Sequence, residues 1–337
     1  MSGNRSKKAT QVNRASIVVS LNVVSPRTKL LGKALGAEVA VLRSKPPYLL
    51  LLVRVIQLLK LKRPRQVIIQ LPTGPLLLAF CLVKSFRLTK RLVADVHTGF
   101  LSGLSLTRHG LLNGLFTGFL KYVDLVIIHN ETNLSLIPNG TVNKTIVLYD
   151  PFFAVMENQA LTEDLPRALQ GLVKFAVFPA SWHPDEPIIS LLDAWTRFVP
   201  GIKLVVTGHP NLDIMARISK KVGHEIVFTG YLSHEAYLGL VSKSRFLVSA
   251  STSEYDAQAS SYEALSFSKP IVATETRAIK LTIGNAAAYF DLAKPETLAH
   301  AVDNVMNNYY EYEARSRARS TLIEKETRDV IQRYLLP

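Results

Sequence analysis

Two doubly wound α/β domains in tandem are the fold class this sequence predicts, and three observations predict it. The 337 residues exceed one ordinary core and suit two domains of roughly 150 residues each. Short β-branched or Leu-rich runs alternate with helical stretches along the chain, the pattern of parallel strands joined by crossover helices. A hydrophobic content of 48% excludes a disordered chain, and Gly and Pro at 17 each exclude a low-complexity or fibrous one.

Taken in order, strands are predicted over Ser16–Leu21, Glu38–Leu42, Gln66–Gln70, Leu92–Asp95, Leu125–His129 and Thr145–Leu148. Helices are predicted over Arg27–Leu35, Tyr48–Leu61, Pro75–Phe86 and Leu111–Tyr122, which completes a first domain over residues 1–153, with residues 1–15 expected to be disordered. The stretch 154–172 reads as a linker. The second domain, 173–308, has strands predicted over Lys174–Phe178, Lys203–Thr207, Glu225–Thr229, Phe246–Ser249, Pro270–Ala273 and Ala288–Phe290. Its helices are predicted over Pro187–Phe198, Leu212–Val222, His234–Ser242, Ala259–Ser266 and Pro295–Asn308, while Thr274–Gly284 reads as a loop. The charged tail 309–337 reads as a helix that could complete the first domain. Two such units would face each other across a cleft lined by the carboxyl ends of both sheets, where open α/β sheets bind ligands.

Charge is unevenly distributed. Residues 1–150 carry 21 Lys/Arg against 5 Asp/Glu, and the remainder 19 against 21. A basic half beside a neutral one points to a polyanionic surface, and the apolar context favours anionic lipid over nucleic acid. The run Pro46–Arg65, PPYLLLLVRVIQLLKLKRPR, is too short and too interrupted to span a bilayer. It fits an interfacial amphipathic helix or a core helix with snorkelling basic ends, and one helix could do both. The first half lacks aromatic residues interleaved with Lys/Arg and any helix-turn-helix or zinc pattern, so no nucleic acid is expected. A single cysteine, Cys81, and a polar basic start without an apolar signal core make a cytoplasmic location the default. The sequons at Asn130, Asn133, Asn139 and Asn143 are read as chance matches in Asn-rich loops.

Three segments carry a resemblance in the second half. Pro179-Ala180-Ser181-Trp182-His183-Pro184-Asp185-Glu186 precedes Ile189–Trp195; Val205-Val206-Thr207-Gly208-His209-Pro210 precedes Phe228-Thr229-Gly230-Tyr231-Leu232-Ser233; and Ser253–Leu265 precedes Ser268-Lys269-Pro270-Ile271-Val272-Ala273-Thr274. Together, from about Val173 to Asn308, these resemble the donor-binding domain of GT-B glycosyltransferases of the group 1 type. The first segment is similar to the S-W-x-x-D-E stretch of chitobiosyl-diphosphodolichol mannosyltransferases, which leans towards GDP-mannose. The third is similar to an E-x7-E segment, although Glu254 and Glu263 stand one residue further apart and Tyr255-Asp256-Ala257 replaces the usual Gly-Phe-Gly.

The resemblance implies a GT-B fold, two Rossmann-like domains facing across a cleft, with a nucleotide-sugar donor in the second. Independently of it, a loop of small polar residues entering a helix near Ala259 offers free backbone N–H groups to a diphosphate. The roles implied are ribose binding by Glu263, sugar binding by Glu254 or Asp256, and further donor contacts from Ser181, Trp182, Gly208, His209, Tyr231, Ser260 and Ser261. Arg277 or Lys280 could neutralise phosphate, or each could be a solvated charge. In the first domain Asp95-Val96-His97-Thr98-Gly99 follows a strand, so His97 and Asp95 are candidate catalytic residues beside Gly99. His97 could deprotonate an acceptor hydroxyl or merely support a turn. Asn130 and Glu131 follow another strand and could line the acceptor side or cap a loop. There is no D-x-D, H-x-x-x-H or cysteine cluster, so no metal and no cofactor is expected; helix N-termini and cations would stabilise the leaving diphosphate.

The expectation is therefore a metal-independent glycosyltransferase. It would take a nucleotide-sugar donor, act on a lipid-linked or membrane-proximal glycan acceptor, and sit peripherally on the cytoplasmic face of an anionic membrane. A sugar-nucleotide epimerase, a phosphorylase or an inactive homologue acting as an assembly partner are the alternatives.

Overall fold

The computed structural model describes residues 15–45, 48–71, 74–101, 114–151, 169, 171, 174–209, 214, 216 and 223–336. The first sheet contains β1 (Ser16–Leu21), β2 (Glu38–Leu42), β3 (Gln66–Leu71), β4 (Arg91–Val96), β5 (Leu125–Ile128) and β6 (Thr145–Val147), in the spatial order β2-β1-β3-β4-β5-β6. The second contains β7 (Phe175–Phe178), β8 (Lys203–Thr207), β9 (Ile226–Gly230), β10 (Phe246–Ser249), β11 (Ile271–Thr274) and β12 (Ala287–Phe290), in the order β12-β11-β10-β7-β8-β9. All pairs within both sheets are parallel. Parallel neighbours need crossover connections, which the intervening helices supply. The strands lie where the β-branched runs predicted them, with ends displaced by no more than one residue.

The helices of the first half are α1 (Pro26–Leu35), α2 (Leu51–Lys62) and α3 (Gly74–Ser85). Those of the second are α4 (Ile188–Phe198), α5 (His234–Lys243), α6 (Ala259–Ser266), α7 (Arg277–Ile283), α8 (Thr297–Asn307) and α9 (Tyr309–Tyr334). The helix expected over Leu212–Val222 and the linker 154–172 lie largely outside the described residues, as does the start of the one expected over Leu111–Tyr122, which ends in a 3-10 turn at Gly118–Tyr122.

By contacts the chain divides into two compact units, Met1–Ala154 with Thr327–Pro337, and Val155–Glu326. In the first, strand alternation sorts side chains onto two faces. Ile17, Val19, Val67, Ile69, Leu92 and Ala94 join a core with Val55 and Leu59 of α2 and Leu77 and Phe80 of α3. Val18, Ile68 and Val93 pack on the other face with Leu31 and Leu35 of α1 and with Ile331 and Leu335. The tail is pinned there by Gln66 Nε2 donating to Leu335 O at 2.9 Å. In the second unit Phe178, Val206, Phe246 and Val272 pack on the fully buried Trp195 of α4 and on Leu298 and Val302 of α8. Among the described residues, no helix is long and apolar enough to cross a membrane.

Candidate active site

Since β7–β12 run parallel, every loop that follows a strand emerges at one edge of the second sheet. The strand order reverses between β7 and β10, which opens a crevice at that point. The loops after these two strands are tied together. Thr252 N donates to Asp185 O at 2.8 Å and Ser251 Oγ to Asp185 Oδ2 at 3.2 Å.

Glu186 organises the loop after β7. Its carboxylate accepts from Ser181 N at 3.0 Å, Ser181 Oγ at 2.7 Å and Trp182 N at 2.8 Å. Burial pushes the Glu186 carboxyl up in pKa, and those bonds partly offset it. Trp182 is thereby held at a left-handed φ of 60°, with its ring N–H donating to Thr207 O at 3.0 Å and its ring against Phe228. Gly208, at φ 77°, touches this indole: a Cβ there would stand 2.6 Å from Ala180 O and 2.8 Å from Trp182 Nε1. Ser181, Trp182 and Gly208, expected to contact the donor, are thus brought together by the loops after β7 and β8.

The loop after β10 corrects two further expectations. Glu254 accepts from Arg277 N at 2.8 Å, so it caps α7, a helix in the stretch that was expected to be a loop. Cap and dipole both favour a carboxylate there, and Glu254 remains exposed. Asp256 accepts from Ser253 Oγ at 3.1 Å. Ser260 and Ser261 are buried with their hydroxyls on Ser249 Oγ, at 3.3 and 2.9 Å, so their side chains do not reach a ligand. What α6 does offer is its amino end, where the cap residue Gln258 makes no side-chain hydrogen bond to the first turn.

Glu263, on the second turn of α6, accepts a hydrogen bond from the Tyr237 hydroxyl. Burial first, then the Glu263 charge, raises the Tyr237 pKa well above its ordinary value, so the phenol remains a donor. Lys280 pairs with Glu275 at 2.6 Å while Arg277 is exposed. His209 and Tyr231 follow β8 and β9, exposed and edge to face at 5.0 Å between ring centroids. His183 is exposed and pairs with Asp185.

In the first unit the order reverses between β1 and β3, and a buried polar network occupies that edge. Ser25 caps α1 by accepting from Thr28 N at 3.1 Å, which aims Arg27 inward. Arg27 Nε donates to both Asp95 oxygens at 3.2 and 3.1 Å and Nη2 to Leu148 O at 3.0 Å, and Nη1 pairs with Asp150. Burial alone would raise the Asp95 carboxyl; the Arg27 guanidinium and then His129 overcome it and hold Asp95 far below the carboxylate range. Only 1% exposed, Asp95 cannot meet substrate, which corrects its expected catalytic role to a positioning one.

His97 is the half-buried group above this pair. Its Nε2 lies 2.7 Å from Gln70 Nε2, and its ring meets His129 edge to face at 4.6 Å. Burial, with His129 second, lowers its pKa to about 4. The imidazole is neutral at pH 7 and able to accept a proton, though as a weak base. Gly99 lies exposed in a single helical turn, Thr98–Leu101, with open space where a Cβ would stand. Asn130 is buried and caps the next turn by accepting from Thr132 N at 3.0 Å, so it is a loop cap and not an acceptor contact. Glu131 accepts from the Tyr149 hydroxyl at 2.5 Å.

Asp95, His97 and His129 each present a ligand atom within 4.8 Å of the others, a grouping able to hold a metal ion. Arg27 already occupies both Asp95 oxygens, and its fixed charge opposes a second cation there. Sequence reasoning missed Arg27, Gln70, Glu186 and Tyr237. The available signal was a polar side chain inside an otherwise apolar strand or helix start, as in Val67-Ile68-Ile69-Gln70 and Ser25-Pro26-Arg27.

Residues 174–308 match the family described as Glycosyl transferases group 1. Among solved structures, Anabaena Alr3699/HepE in complex with UDP-glucose superposes with a TM-score of 0.71 at 14% identity, over 94% of this chain and 99% of that one. The chain thus has the GT-B fold, and its residues 174–308 are similar to a group 1 glycosyltransferase domain. Sucrose-phosphate synthase from Thermosynechococcus elongatus shares the GT-B fold at TM-score 0.67 and 12% identity, over 94% of this chain and 97% of that one. So does S. aureus MnaA bound to UDP, at 0.63 and 14%, over 95% and 97%. A search of curated proteins finds no relative by sequence. The GT-B architecture accounts for two parallel sheets of six strands; the likeness to chitobiosyl-diphosphodolichol mannosyltransferases has no counterpart in these matches.

Proposed function

We propose that this enzyme transfers a sugar from a nucleoside diphosphate sugar to a hydroxyl of a lipid-linked or membrane-proximal glycan, without a metal. The observation that carries the donor side is the switch-point crevice of the second unit, where the amino end of α6 and Glu263 lie together in the segment that matches the family. Backbone N–H groups at a helix start suit a diphosphate, and a carboxylate one turn further suits a ribose diol. Release of Glu263 from Tyr237 to the ribose would let the buried phenol share the new hydrogen bonds.

Anabaena HepE and S. aureus MnaA carry UDP-glucose and UDP respectively, which favours a uridine nucleotide over the guanosine lean. The fold also hosts a Listeria monocytogenes protein assigned as a UDP-N-acetylglucosamine 2-epimerase; the group 1 domain favours transfer, and product analysis separates the two. His97 is the acceptor-side base in this reading. Fixed positive charge from Arg277 and the α6 amides stabilises the departing diphosphate, so EDTA leaves the rate unchanged, and a rate abolished by EDTA and restored by a divalent ion contradicts metal independence.

Initial rates of Glu263→Ala test the donor site. Losing a hydrogen bond to a charged group costs about 1.5–3 kcal/mol, so the donor KM should rise roughly 10- to 150-fold with acceptor KM little changed. An unaltered donor KM would remove Glu263 from the site.

A further inference from the structure

Resting on the lipid-linked acceptor of that reading, we infer that a hollow beside the start of α2 seats the phosphate or diphosphate head of the acceptor lipid. The hollow has a volume of about 620 Å³ and lies among Asn22, Arg43, Ser44, Lys45, Leu49, Leu50 and Arg54. Among the described residues three cations and no carboxylate line it, and Arg43, Lys45 and Arg54 form no salt bridge. Such a set attracts a multiply charged anion and leaves its own charges uncompensated otherwise.

The floor is built before any ligand arrives. Asn22 Nδ2 donates to Ser44 O at 2.9 Å and Ser44 N to Asn22 Oδ1 at 2.8 Å, a reciprocal pair that fixes the segment bearing Arg43 and Lys45 to the end of β1. The rim is apolar and faces solvent: Leu49 is 80% and Leu50 61% exposed. A free nucleotide or sugar phosphate would complement the cations alone. An amphiphile with an anionic head and a hydrocarbon chain complements both features.

Location ties the hollow to the acceptor hydroxyl. Asn22 follows β1 and Arg43–Lys45 follow β2, so it sits at the same carboxyl edge of the first sheet that carries His97 after β4. In the order β2-β1-β3-β4, with neighbouring strands about 4.8 Å apart, the hollow and His97 are separated by two to three strand spacings, roughly 10–15 Å. A diphosphate bearing one or two sugars bridges that distance and brings a sugar hydroxyl towards His97.

Calorimetric titration of the full chain tests this, with UDP and GDP in excess to occupy the donor site. The probe is farnesyl diphosphate; inorganic pyrophosphate and farnesol are its separate halves, and short-chain phosphatidylglycerol represents bilayer lipid. Farnesyl diphosphate should bind at least about tenfold tighter than either half. Arg43→Ala/Arg54→Ala should weaken it by about tenfold or more, while Leu49→Ser should weaken farnesyl diphosphate and leave pyrophosphate unchanged. Binding by the double variant equal to wild type overturns the inference. So does displacement by phosphatidylglycerol at equal concentration, which would make the hollow a seat for bilayer lipid. Absence of nucleotide binding with these farnesyl diphosphate results intact would count against sugar transfer alone, because the donor residues lie in the second unit.

Discussion

Arg27 shows how a charge is kept inside a domain: two carboxylates and a carbonyl satisfy its donors, so the cost of burial is met by pairing. The same network determines the chemistry of His97, which sits above Asp95 and Gln70 in a site too dry for an imidazolium. Unfolded, an imidazole titrates near 6.5; native His97 titrates at about 4. Between those values the unfolded chain binds more protons, so His97 stabilises the fold fully above about pH 6.5 and this contribution, on the order of 3 kcal/mol, is lost as pH falls towards 4. Thermal midpoints of wild type and His97→Asn measured across that window should diverge, with wild type the steeper; parallel curves would contradict the burial argument. As a base, His97 should leave kcat/KM flat from neutrality down to about pH 5, since its limb lies near 4. None of this was visible in Asp95-Val96-His97, which identifies a strand end and a titratable group but not the Arg27 that arrives from a helix 68 positions earlier.

At the level of elements, the inner strands were legible because they are buried on both faces, which leaves unbroken runs such as Val67-Ile68-Ile69, whereas the edge strands β2, β6 and β9 are partly exposed. Helix α7 was not: Thr276 stands at its cap position but makes no side-chain cap bond, and the carboxylate at its amino end comes from Glu254, 23 residues away. The setting of Trp182 was hidden for a related reason: its partners Glu186, Thr207 and Phe228 come together only in the fold. Helix α2 packs as a core helix and leaves the outer face that the interfacial reading would use. Leu51, Val55 and Leu59 pack inward at helical spacing, while Leu50, Val53 and Leu61 are exposed beside Arg54 and Lys60. Apolar residues on the outer face of a basic helix suit the headgroup region of an anionic bilayer. Vesicles rich in phosphatidylglycerol should therefore float wild type, and Val53→Ser/Leu61→Ser should float several-fold less at unchanged thermal midpoint. Equal flotation of the two proteins would remove α2 from membrane contact.

For the whole molecule, an excess of basic residues in the first 150 positions and near neutrality afterwards divide the labour that the two units are assigned. In the proposed reading the basic unit would meet lipid and acceptor, and the other would bind a nucleotide that its helix dipole, not net charge, attracts. The two-domain fold was legible as a rhythm of strands and helices, whereas the site was legible only in outline, since the hydrogen-bond partners of its residues come from distant positions in the chain. Donor binding is the claim on which the rest depends. Thermal unfolding of the full chain against UDP, GDP, dTDP, CMP and ADP and their common sugars measures it directly, because a ligand at 100 times its Kd adds about 2.7 kcal/mol to the native state. The account predicts a raised midpoint with one nucleotide family, UDP first among them, and a loss of that rise in Glu263→Ala. An unchanged midpoint with every nucleotide, in folded protein, would contradict it.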